Sequence, residues 1–142
     1  MNDAVQNLLK NDPASRLLGI KIHSVDTGQC QLKMWVNESM TNGYQVCHGG
    51  FIFTFADTAS AFASASQGEI VLSASNQIDY LAPAYLNDFL TAKAHVTSVC
   101  GKVIYCDVKV TNQSEKLLAV MNAKLVNKSL AANIKDNLEG FK

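Results

Sequence analysis

The chain has 142 residues, 48% of them hydrophobic, with 12 lysines and arginines balancing 12 aspartates and glutamates. That length and apolar fraction suit one compact domain over residues 1–142 with a sizeable core. A neutral chain whose single arginine is Arg16 lacks the basic footprint of a nucleic-acid binder, and no basic amphipathic stretch points to a membrane surface.

The N-terminus has neither the basic region nor the long apolar run of a signal peptide, so a cytoplasmic location is expected. Residues 3–10 read as a short helix. Asp12-Pro13 then forms an N-cap and first-turn pair that opens a second helix through Leu18, stopped by Gly19. From residue 20 to 36 the period becomes two, with Cys30, Leu32, Met34 and Val36 on one face and Gln31, Lys33 and Trp35 on the other, which predicts a strand pair turning near Thr27-Gly28. The segment NGYQVCHGG, residues 42–50, leads into an apolar run over residues 51–66. A membrane span needs roughly 20 apolar residues, and this run is shorter and carries Asp57, so it reads as a core helix closed by Gln67-Gly68.

Strand-like runs follow at residues 70–81, 89–99, 103–111 and 117–126. Two of the connections, Cys100-Gly101-Lys102 and the segment around Asn112-Gln113-Ser114, are short enough for hairpins, so antiparallel pairing is predicted. Alternation assigns Leu90, Ala92, Ala94 and Val96 to one face, then Ile104, Cys106, Val108 and Val110, then Leu117, Ala119, Met121, Ala123 and Leu125. The polar tail, residues 127–142, reads as a loose helix. The expected architecture is α+β, a curved antiparallel sheet wrapped around the central helix. Its small residues Ala56, Ala59, Ser60, Ala61, Ala63 and Ser64 allow the sheet to approach closely.

Within that helix the chemistry concentrates. Gly49 and Gly50 sit where it begins, with free N–H donors and the positive end of the dipole, a place suited to a carbonyl that gains negative charge. Asp57 is the only ionisable residue between His48 and Glu69, and burying such a group needs a reason. One reading makes it the N-cap of a new helix starting at Thr58; the other makes it catalytic. At about 1.5 Å per residue, the eight steps from Gly49 to Asp57 span about 12 Å, too far for one chain to serve a single carbonyl. Two antiparallel copies of the helix would bring Gly49 of one beside Asp57 of the other.

The stretches NGYQVCHGGFIFTFADTASAFASASQG and SASNQIDYLAPAYLNDFLTAKAHV together resemble the hotdog-fold acyl-CoA thioesterases of the phenylacetate-degradation type, a similarity covering residues 17–126. The resemblance implies hydrolysis of aryl or acyl thioesters of coenzyme A, a homodimer with active sites at its interface, pairing of dimers into a homotetramer, and no metal or redox cofactor. It makes Asp57 the nucleophile or the general base for water, Gly49 the oxyanion glycine, His48 its loop-ordering neighbour and Asn42 the amide near the thioester or the attacking water. A Ser or Thr on the strand after the helix is also implied, and Ser73 and Ser75 both qualify by position. Gly50 is the next backbone donor at the substrate, and Lys102, Lys124 and Lys128 are candidates for the coenzyme A phosphates. Cys47, next to His48, reads as a packed thiol, because adjacent residues seldom hold a nucleophile–base geometry. His23, His48 and His95 have no metal-ligand spacing with the cysteines. Two rivals on the same fold are a non-catalytic acyl-CoA-binding protein and a dehydratase; the latter is disfavoured because no His lies between Glu69 and Lys93 or in the helix after Asp57. The preferred acyl group stays open.

Overall fold

The protein is described by a computed structural model covering residues 2–68 and 70–128. The predicted tail helix lies largely outside the described residues: Asn127 closes the last strand, and Lys128 donates its N–H to Ile70 O at 2.7 Å.

Helix α1 (Asp3–Lys10) begins at Asn2, whose side chain accepts the Val5 N–H at 3.0 Å. The same side chain donates to Ser66 O at 2.6 Å and Ala65 O at 3.3 Å. One asparagine therefore satisfies an open donor at one helix start and bonds carbonyls at the end of another, that of Ala65 also accepting Gly68 N–H. Helix α2 (Pro13–Leu17) has Asp12 as its N-cap, accepting from Ser15 N–H, as the Asp-Pro pair predicts. Strands β1 (Lys21–Asp26) and β2 (Gln29–Trp35) form the expected hairpin around Gly28, whose φ of 74° is a left-handed turn conformation that suits glycine.

Helix α3 (Gly49–Ala65) follows, then β3 (Val71–Tyr80), β4 (Phe89–Cys100), β5 (Val103–Thr111) and β6 (Leu117–Asn127). They build a six-stranded sheet of order β1-β2-β4-β5-β6-β3 with antiparallel pairing at every step. Three of the pairs are hairpins of consecutive strands. The chain crosses through α3 between β2 and β3, so β3 lies at the far edge with β6 as its neighbour, an order that local periodicity could not reveal.

Its inner face carries the predicted residues Cys30, Leu32, Met34, Leu90, Ala92, Ala94, Ile104, Cys106, Val108, Val110, Ala119, Met121, Ala123 and Leu125, all buried against α3. On the helix, Ala56, Ala59 and Ala63 are fully buried, and their small side chains let the sheet close over them while Phe55 and Phe62 fill the flanking space. One inward assignment fails: Leu117 is 37% exposed, while Leu118 is 1% exposed. A register shift between Val110 and Thr111 inserts Leu118 opposite β5 and turns the end of β6. A second shift, between Ser73 and Ser75, makes Ala74 the extra residue in β3.

Candidate active site

Helix α3 runs unbroken from Gly49 to Ala65, which excludes Asp57 as the cap of a new helix. Asp57 is half-buried and faces β3. Its Oδ1 accepts two hydrogen bonds, from Ser73 Oγ at 2.6 Å and Asn76 Nδ2 at 2.7 Å. In a regular strand, residues three apart point to opposite faces. The bulge at Ala74 removes that obstacle: Ser73 pairs with Leu125 and Asn76 with Ala123, both buried on the inner face, so both side chains reach the helix. Ser75 pairs with exposed Lys124, which turns it to the outer face, so the geometry selects Ser73 as the neighbour of Asp57. The Oδ2 of Asp57 takes no hydrogen bond among the described residues.

At the start of α3, His48 is the N-cap. Its Nδ1 accepts Gly50 N–H at 2.9 Å and its carbonyl accepts Phe51 N–H at 3.0 Å. Nδ1 serves here as an acceptor, which leaves Nε2 as the donor nitrogen of the ring. These two bonds engage the second and third N–H groups of the helix. Gly49 N–H has no acceptor among the described residues, leaving it as the open donor. The Gly49 carbonyl accepts from Tyr80 Oη at 3.0 Å. Tyr80 also explains why this position is glycine: a Cβ here would lie 3.1 Å from Tyr80 Cζ, tighter than ordinary contact.

Beside Gly49 opens a cavity of about 420 Å³, lined by Cys47, Ile52, Tyr80 and residues 81–84 and mainly apolar in character. The Cys47 thiol at its wall is pushed up to about 11 by burial, so it is protonated at neutral pH and is no thiolate nucleophile. The two polar centres do not meet within the chain. Eight helical steps put about 12 Å between Gly49 and Asp57, and the four strand steps from Asn76 to Tyr80 cover about 13 Å beside them.

A family model described as the thioesterase superfamily matches residues 44–119, more than half of the chain, from the loop before α3 into β6. The chain belongs to the thioesterase superfamily. The acyl-coenzyme A thioesterase PaaI of Escherichia coli (strain K12) is 38% identical over 117 residues, covering 82% of this chain and 84% of that protein. A structure of the E. coli PaaI protein from the phenylacetic acid degradation operon superposes with a TM-score of 0.85 at 36% identity, over 87% of this chain and 90% of the other. A Streptococcus pneumoniae hypothetical thioesterase solved with coenzyme A superposes with a TM-score of 0.74 at 26% identity, over 76% and 87%. The chain is thus a hotdog-fold thioester hydrolase of the PaaI type.

The other candidate residues of this thioesterase divide by position. Asn42 uses its side-chain oxygen to accept Tyr44 N–H at 2.9 Å and Val46 N–H at 3.4 Å, which folds the loop that delivers His48. Gly50 has its N–H committed to His48, so it is not an open donor as the sequence suggested. Lys102 is exposed in the β4–β5 turn, with its carbonyl accepting Asn127 N–H, while Lys124 and Lys128 are exposed on and after β6. Among the described residues no three His, Cys, Asp or Glu side chains gather as metal ligands, and no helix is long and apolar enough to cross a membrane. Sequence reasoning missed Asn76 and Tyr80. Tyr80 could have been suspected from the aromatic ring closing the strand before Pro83; Asn76 had no visible cue, because the bulge that turns it inward leaves no trace in the alternation.

Proposed function

We propose that this thioesterase hydrolyses aryl-acetyl or small aryl-acyl thioesters of coenzyme A at two sites shared between antiparallel copies of the chain. The observation that carries the reading is that an open donor and an open carboxylate oxygen lie about 12 Å apart on one unbroken helix, whereas both must approach the same carbonyl to about 3 Å. A second copy related by a two-fold axis supplies the missing half. The open edge of β3, with Leu72 50% and Leu81 56% exposed near its ends, supports pairing on this side.

In the composite site, Gly49 N–H of one copy polarises the thioester carbonyl and holds the oxyanion that forms. The partner's Asp57 offers Oδ2. As a nucleophile it bonds to the acyl carbon, the C–S bond breaks, coenzyme A leaves as thiolate, and water then opens the anhydride. As a base it takes a proton from water, whose oxygen bonds to the acyl carbon before the thiolate leaves. Either route needs no metal or redox cofactor. The apolar cavity beside Gly49 suits the acyl group, the exposed lysines suit the phosphates, and the proposal extends to pairing of dimers into a tetramer in the cytoplasm.

Free-thiol release is the direct test, across phenylacetyl-, hydroxyphenylacetyl-, benzoyl- and straight-chain coenzyme A thioesters. The expected result is a higher kcat/KM for the aryl members; equal or better turnover of long straight chains would overturn the substrate assignment.

A further inference from the structure

Asn76 occupies an apolar position. Apart from Ser73, its inner-face neighbours on β3 and β6 are Ile78, Met121, Ala123 and Leu125. A leucine or methionine there would pack without polar atoms, whereas the amide places a buried Oδ1 that accepts no hydrogen bond. An orphaned acceptor of that kind lowers stability. Turning the amide over would not help, because it would set Oδ1 against the Oδ1 of Asp57, two acceptors face to face. The carboxylate therefore fixes the amide with its donor inward and its acceptor stranded.

From this we infer that Asn76 is a positioning residue, which together with Ser73 clamps one oxygen of Asp57 and aims the other at the thioester. The terminal torsion of an aspartate is broad. A single donor would leave the carboxylate free to swing about that contact. Two donors converging on Oδ1 from β3, at 2.6 and 2.7 Å, hold its plane and leave Oδ2 unhindered. The stranded acceptor is then a stability penalty tolerated for orientation. The inference rests on Asp57 as the attacking group or base.

The experiment compares Asn76→Leu, Asn76→Met and Asp57→Asn with the unmodified protein, measuring kcat, KM and the urea midpoint. The leucine and methionine variants are expected to lose about ten- to a hundred-fold in kcat, with KM within about twofold and a midpoint equal to or above that of the unmodified protein. Combining Asn76→Leu with Asp57→Asn should add no further loss, since the amide acts through the carboxylate. If both Asn76 variants keep kcat within about twofold, fall below the original midpoint or fail to fold, Asn76 is structural and the inference is overturned. If Asp57→Asn itself retains activity, the reading of Asp57 fails instead, and the two failures stay distinguishable.

Discussion

Gly49 has two roles that only glycine can combine here: it exposes an N–H at the helix start and it leaves room for Tyr80. Gly49→Val should crowd the Tyr80 ring and disturb its hydrogen bond to the Gly49 carbonyl. The expected loss is about 2.7–4 kcal/mol of transition-state stabilisation, read as kcat in a thiol-release assay. The cysteines make a different prediction. Burial pushes the thiols of Cys30 and Cys106 up to about 12 and that of Cys47 to about 11, with the proximity of Cys30 and Cys106 adding to the first. Ionisation of the unfolded chain begins near the ordinary thiol value of 9.0, while the folded chain stays protonated. Their stabilising contribution is therefore complete below about pH 9 and is lost as the pH rises towards about 12. Urea midpoints should fall through that window, and a Cys30→Ala, Cys106→Ala double variant should fall less steeply than the original protein.

Among the elements, α3 depends on having little bulk where the sheet crosses it. Ala59→Leu adds a branched side chain at a fully buried position, and overpacking of this kind should lower stability by about 1–3 kcal/mol, measured by urea unfolding. This close approach was legible in the sequence, because a helix made of Ala and Ser has no other way to bury itself under strands. The hairpins were legible too, from Gly28 and from the short turn at Gly101. The bulge at Ala74 and the register shift at Leu118 were not. Each inserts one residue where the surrounding pattern of alternating side chains continues plausibly, and what fixes it is pairing with β6 or β5, a contact far away in sequence. That is why Ser73 and Ser75 could not be separated by reading the chain, and why Asn76 was overlooked.

For the whole molecule, the decisive question is whether one chain suffices. If the site is shared, an Asp57→Asn chain and a Gly49→Val chain, each nearly inactive alone, should complement when co-expressed: the mixed dimer has one site with both defects and one with neither. Activity near half that of the original dimer is expected in purified heterodimers, and its absence in correctly paired heterodimers would refute the composite site. The capping of α3 by His48 has an effect at this scale on how the catalytic cycle ends. Because Gly50 and Phe51 already give their N–H groups to His48, the helix start presents one donor, enough for a single carbonyl oxygen. If the site is shared, the acid product, with one negative charge spread over two oxygens, sets one oxygen at Gly49 and turns the other towards the partner's Asp57 carboxylate. A site arranged in this way expels what it makes, so the free acid should be a poor inhibitor even when the parent thioester binds well.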